Sequence, residues 1–70
     1  MRIELKRARM AKSMTQAILA HELGISTRFY QSIESGRELG AIRLWDALED
    51  LFQIPQRQLR ENWPVVQNEL

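Results

Sequence analysis

The sequence predicts an all-α protein, a compact bundle of four to five short helices, and three observations carry that prediction. Two stretches, Thr15 to Gly24 and Ser26 to Gly36, each run from a hydroxyl residue to a glycine. A hydroxyl accepts the orphan N–H groups of a first turn, and glycine takes the left-handed conformation that ends a helix without steric cost. Further on, Ala41, Trp45, Leu48 and Phe52 recur at helical spacing, with Leu44, Leu48 and Leu51 as an overlapping stripe. Finally, 70 residues make one small domain, and with no cysteine its core must hold by packing or by association with a second copy.

The elements follow in order. A first helix is expected from about Arg2 to Ser13, with Leu5, Ala8 and Arg9 sharing a face by the i, i+3, i+4 rule. Arg9 on an apolar stripe is unusual and needs a partner; Arg2, Lys6, Arg7 and Lys12 read as solvated. The second helix runs Gln16 to Leu23, capped by Thr15 and ended by Gly24. The third runs Thr27 to Ser35, capped by Ser26 and ended by Gly36. Apolar pairs at staple spacing, Met14 with Leu19 and Ile25 with Tyr30, flank the two caps. A fourth helix is expected over Ala41 to Gln53 and a fifth from Pro55 to Asn62, with proline at the first helical position. The domain is therefore taken as 1–62 and the remainder, 63–70, as a tail.

The third helix divides by face. At about 100° per residue, Phe29, Tyr30 and Ile33 fall together as the core side. Thr27, Arg28, Gln31, Ser32 and Ser35 form a continuous arc opposite. Every member of that arc can donate a hydrogen bond and none is acidic, which is what a surface needs to approach phosphates and read base edges.

Charge supports this placement. Residues 1–37 hold seven Lys or Arg against three acids, and residues 38–70 hold three against six, so the half with the polar arc is basic and the remainder acidic. The composition gives little to catalysis. His21 is the lone histidine, on the outer side of the second helix, and Asp46, Glu49 and Asp50 cluster without histidine or cysteine to complete a metal site. No phosphate loop, zinc signature or paired nucleophile and base is present, so no enzyme activity, no cofactor, no metal and no small-molecule ligand is expected. The chain has no apolar run of membrane-spanning length and no signal-peptide pattern near its start, which makes a cytoplasmic location the expectation.

The run TQ-x-x-LA-x-x-LGIS, followed by a helix ending I-E-x-G-R, resembles the helix-turn-helix of phage repressor and Cro proteins, the XRE-type regulators. Thr15, Gln16, Leu19, Ala20, Leu23, Gly24, Ser26, Ile33, Glu34 and Gly36 all sit in register, and the resemblance extends from near Leu5 to about Leu59. It implies a lambda-repressor-like bundle, with the helix-turn-helix over about 15–35, that binds a double-stranded DNA operator, usually as a homodimer. It implies that Arg9 and Glu34 pair beneath the reading surface, and that Gln16 bonds a phosphate and braces the start of the third helix.

On that frame Thr27, Arg28, Gln31 and Ser32 point into the major groove, with Arg28 suited to guanine O6 and N7. Ser35 and Arg37 would hold the phosphate backbone, joined by Arg43 from the fourth helix. Phe29 is assigned to the core in preference to a thymine methyl.

Five positions depart from the family pattern: Gly40-Ala41 where Pro-Ser often caps the fourth helix, Ile18 where a polar residue is usual, Glu49 where a small one is, and Gln53 in place of a frequent glycine. The wide apolar face of the fourth helix has two explanations, packing by its neighbours or a dimer interface shared with Trp63, Val65 and Val66. An alternative function keeps the fold as a protein-interaction module, an antirepressor or antitoxin docking through Trp45, Trp63 and the Val65-Val66 tail.

Overall fold

The computed structural model describes residues 1–63, so Val65 and Val66 of the expected tail contact lie outside the described residues. Five helices follow one another with no strand among the described residues: α1 Ile3–Ala11, α2 Gln16–Leu23, α3 Thr27–Ser35, α4 Ile42–Phe52 and α5 Gln56–Arg60.

The ends of α2 and α3 follow from local chemistry. Thr15 Oγ1 accepts from the Ile18 N–H at 3.0 Å, and Ser26 Oγ from the Phe29 N–H at 3.0 Å. At the other ends, Gly24 and Gly36 take positive φ (73° and 93°). The following N–H groups of Ile25 and Arg37 reach back to Ala20 O (3.0 Å) and Ser32 O (2.9 Å), the double closure of a Schellman motif.

The ends of α1 and α4 use the same geometry without glycine. Ser13 (φ 56°) stops α1 short of the expected Ser13 boundary, with Ser13 N–H on Met10 O and Met14 N–H on Arg9 O. Gln53 (φ 57°) does the same for α4, its N–H bonding Glu49 O at 2.8 Å. Ala41 and Gln53 are therefore caps of α4 and not members of it. The last helix is shorter than Pro55 to Asn62, and Pro55 precedes its first residue as N-cap. Proline has no side chain to cap with, and Glu49 takes over: its Oε2 accepts from the Gln56 N–H at 3.3 Å. A carboxylate at a helix start also faces the positive end of the helix dipole. This gives the unusual glutamate at 49 a use.

The core draws on every helix: Leu5 and Ala8 from α1, Leu19 and Ala20 from α2, Tyr30 and Ile33 from α3, and Leu59 from α5. The broad face of α4 supplies Leu44, Trp45, Leu48 and Phe52 to that same core. Trp45 is 1 % exposed and its indole N–H donates to Leu39 O at 2.6 Å, so it is not free to dock a partner. Packing within the bundle accounts for the stripe except at Ala41, which is exposed. Burying side chains of this size contributes about 1.5–3 kcal/mol each, which is how so small a domain closes without disulfides.

Arg2 corrects the expectation of a solvated residue. It is 4 % exposed and clasps the bundle from the inside: Nη1 donates to Ile33 O (2.6 Å) and Glu38 O (2.8 Å), and Nε to Arg60 O (3.0 Å). Its guanidinium lies 5.1 Å from the Trp45 ring centroid, within cation–π range. Burial, and then the nearby Arg60 charge, lower its pKa, yet an arginine remains protonated at any physiological pH. One side chain thereby ties together the C-terminal turn of α3, the loop after it and the end of α5.

Candidate nucleic-acid interface

The turn between α2 and α3 places the polar arc of α3 outward. Thr27, Arg28, Gln31 and Ser35 are exposed and Ser32 is half-buried, while Tyr30 and Ile33 are sealed in the core. Phe29 departs from its core assignment. It is 36 % exposed, on the wall of a shallow groove shared with Leu23, Ile25, Ala41 and Leu44, because α4 does not come close enough to cover it.

One carboxylate lies on α3, and it is withdrawn from the arc. Glu34 is 2 % exposed and receives four hydrogen bonds. Arg9 supplies two, Nε to Oε1 at 2.8 Å and Nη2 to Oε2 at 3.3 Å; the Tyr30 hydroxyl donates to Oε1 at 2.7 Å, and Gln16 Nε2 to Oε2 at 3.0 Å. Burial pushes the Glu34 carboxyl up, but the hydrogen bonds from Arg9, Tyr30 and Gln16 and the Arg9 charge outweigh it and hold the pKa below the ordinary carboxylate value. Glu34 is therefore an anion at neutral pH, with a cation beside it. The same contact raises the Arg9 pKa, and burial, then the Glu34 contact, push the Tyr30 phenol well above its usual range. Arg9 also donates Nη1 to Met14 O at 2.8 Å, fixing the turn between α1 and α2.

Two glutamines link this buried group to the surface. Gln16, half-buried at the start of α2, accepts at Oε1 from Gln31 Nε2 at 3.2 Å while donating to Glu34. Nothing in the spacing of residues 16 and 31 signals this contact; it exists because the Gly24 turn folds the first turn of α2 against the middle of α3. Ser35 spends its hydroxyl proton on Ser32 O at 3.1 Å and would have to rotate to donate elsewhere. Arg37, just past α3, and Arg43, in the first turn of α4 across the groove from Phe29, are both exposed.

The basic excess of the first half is smaller at the surface than in the sequence. Arg2 and Arg9 are used inside the bundle, and Arg7 lies 3.2 Å from Glu4. Arg28 and Arg37 remain exposed on or beside α3, and Lys12 at the end of α1. Elsewhere, Asp46 and Glu49 are bridged by the Gln56 amide, at 2.8 and 3.1 Å, and His21 is exposed on α2. The described residues contain no cluster of three or more metal-ligating side chains, and no helix among them is long and apolar enough to cross a membrane.

A capped helix, a glycine turn and a second capped helix with a carboxylate-free outer face coincide with a match to the family model described as helix-turn-helix over residues 5–55, more than half of the chain. The chain belongs to the XRE-type helix-turn-helix family. As a member it is a DNA-binding transcriptional regulator. The family match begins at Leu5, within α1, runs through α4 and stops at Pro55, one residue before α5. No curated protein and no solved structure matches this helix-turn-helix protein.

Proposed function

We propose that this regulator is a phage- or prophage-type repressor or Cro-like protein, acting in the cytoplasm by binding alone and without catalysis. In this reading it binds a near-palindromic operator as a homodimer, with α3 lying in the major groove. Arg28 and Gln31 make the discriminating base contacts, and Thr27 and Ser32, being short, add weaker ones. Gln16, Ser35, Arg37 and Arg43 hold the phosphate backbone and fix register.

A single observation supports it most strongly. The only acid of α3 is buried and neutralised by Arg9, so the exposed arc carries donors and a cation and no carboxylate to repel phosphate. A helix face made to dock protein would instead carry apolar anchors. Exposed apolar side chains do occur away from the arc, at Leu39, Ile42 and Trp63, and these offer a contact for the second copy.

Selection of bound duplexes from a random pool tests the reading. It should yield a short half-site repeated with two-fold symmetry, the copies centred about one helical turn (about 34 Å) apart or a multiple of it. Enrichment of no sequence, or of an unrepeated one, would count against an operator-binding dimer.

A further inference from the structure

The amide of Gln16 stands between a buried anion and the surface that meets DNA. An ionised carboxylate can only accept hydrogen bonds, so the end of Gln16 turned toward Glu34 has to be its NH2 group. That choice directs Gln16 Oε1 outward. A carbonyl oxygen is likewise an acceptor only, so Gln31 has to meet it with NH2 as well, 3.2 Å away. The buried charge thus dictates the orientation of two successive amides. Gln31, exposed in the middle of α3, is left with its Oε1 and one remaining N–H free for another molecule. An acceptor beside a donor in a plane complements the adenine edge in the major groove, where N6 donates and N7 accepts. The opposite amide orientation would set oxygen against N7.

We propose that Glu34, acting through Gln16, fixes the Gln31 amide in the orientation that reads adenine. Gln16 and Glu34 are then positioning residues for base readout, and Gln16 has a second role beside its phosphate contact. Glu34 sits at the inner end of the relay, where it also neutralises Arg9, so one buried carboxylate serves both the core and the reading surface. The proposal rests on α3 being the reading helix.

The test uses the full chain and the duplex obtained by selection. Affinities are compared for the parent duplex and for duplexes in which each adenine in turn becomes 7-deazaadenine or another base. Wild type is set beside Gln31→Ala, Gln16→Ala, Gln16→Met, the Gln16→Ala/Gln31→Ala pair and Arg28→Ala. Gln31→Ala should abolish an adenine preference of about 5- to 150-fold at one base pair per half-site. Gln16→Ala and Gln16→Met should each remove most of that preference at the same base pair, and the double variant should lose no more than Gln31→Ala alone. Any even weakening from a lost phosphate contact cancels in the ratio of affinities. Arg28→Ala should leave that base pair's preference intact and relax a different one.

Full adenine preference in both Gln16 variants, with folding intact by thermal melting, overturns the relay and leaves the reading helix standing. The relay is equally overturned if Arg28→Ala relaxes a position and Gln31→Ala relaxes none. If neither Arg28→Ala nor Gln31→Ala alters preference anywhere, it is the assignment of α3 that fails.

Discussion

Arg9→Ala should be among the most damaging single substitutions in this domain, and the reason can be followed bond by bond. It removes two hydrogen bonds to Glu34, at 2.8 and 3.3 Å, and one to Met14 O at 2.8 Å. Glu34 stays buried and ionised with only Tyr30 and Gln16 as donors. Breaking a buried pair from one side costs about 3–5 kcal/mol. A domain of this length holds in total about 3.5–10 kcal/mol, at roughly 0.05–0.15 kcal/mol per residue, so the variant loses more than about a quarter of its stability. The melting temperature should fall by about 12 °C or more.

The loss belongs to the unpaired charge and not to the absence of an ion pair. Arg9→Met/Glu34→Leu/Tyr30→Phe, which replaces the buried polar groups together, should therefore return to within about 1–2 kcal/mol of wild type. The pH dependence has a definite sign. The folded Glu34 pKa lies below its ordinary value, so its contribution is present above the unfolded carboxylate value of about 4.3 and is lost as pH falls through the lower folded value. In Arg9→Ala the buried carboxylate has lost its cation and is relieved by protonation, so the gap between variant and wild type should narrow from pH 7 toward pH 4. Urea unfolding followed by circular dichroism at several pH values measures both. A cost below about 1 kcal/mol, the level of an exposed pair, would refute the reasoning; so would a gap that does not change with pH.

Three further outcomes follow from individual positions. Gly40→Ala should destabilise by about 1–3 kcal/mol in urea unfolding, because Gly40 has φ 80° and an added Cβ would come within 2.9 Å of both Ile33 Cδ1 and Leu44 Cδ2. Ser13→Gly should act in the opposite direction, raising stability by up to about 1 kcal/mol in the same assay, since a non-glycine residue at φ 56° closes α1. Arg37→Ala should weaken binding to specific and random duplexes alike and reduce the slope of log affinity against log salt by about one unit, measured by fluorescence anisotropy; loss confined to the specific duplex would place Arg37 on a base.

What could be read from the sequence and what could not divides along the range of the interactions. The limits of α2 and α3 were legible because each is set by a hydroxyl and a glycine within the same short stretch, at Thr15, Gly24, Ser26 and Gly36. The ends of α1 and α4 were not, since Ser13 and Gln53 are exposed non-glycine residues in a left-handed conformation that their residue types do not announce. Arg9 stood out as a charge on an apolar stripe. Arg2 lies on the same stripe, three residues before Leu5, and could have been suspected on the same ground; its partners, though, are carbonyls 31, 36 and 58 residues away. Phe29 was misplaced because a helical wheel gives the direction of a side chain but not whether α4 covers it. The arc of α3 could be traced residue by residue, whereas the contact of Gln31 with Gln16 depends on how two helices meet.

Binding of Arg28→Ala to the selected operator and to its complete set of single-base variants tests most directly whether the carboxylate-free face of α3 reads DNA. The variant should lose discrimination for guanine at one position per half-site, by about 1–3 kcal/mol, while preferences elsewhere persist. A specificity profile identical to that of wild type would contradict the account.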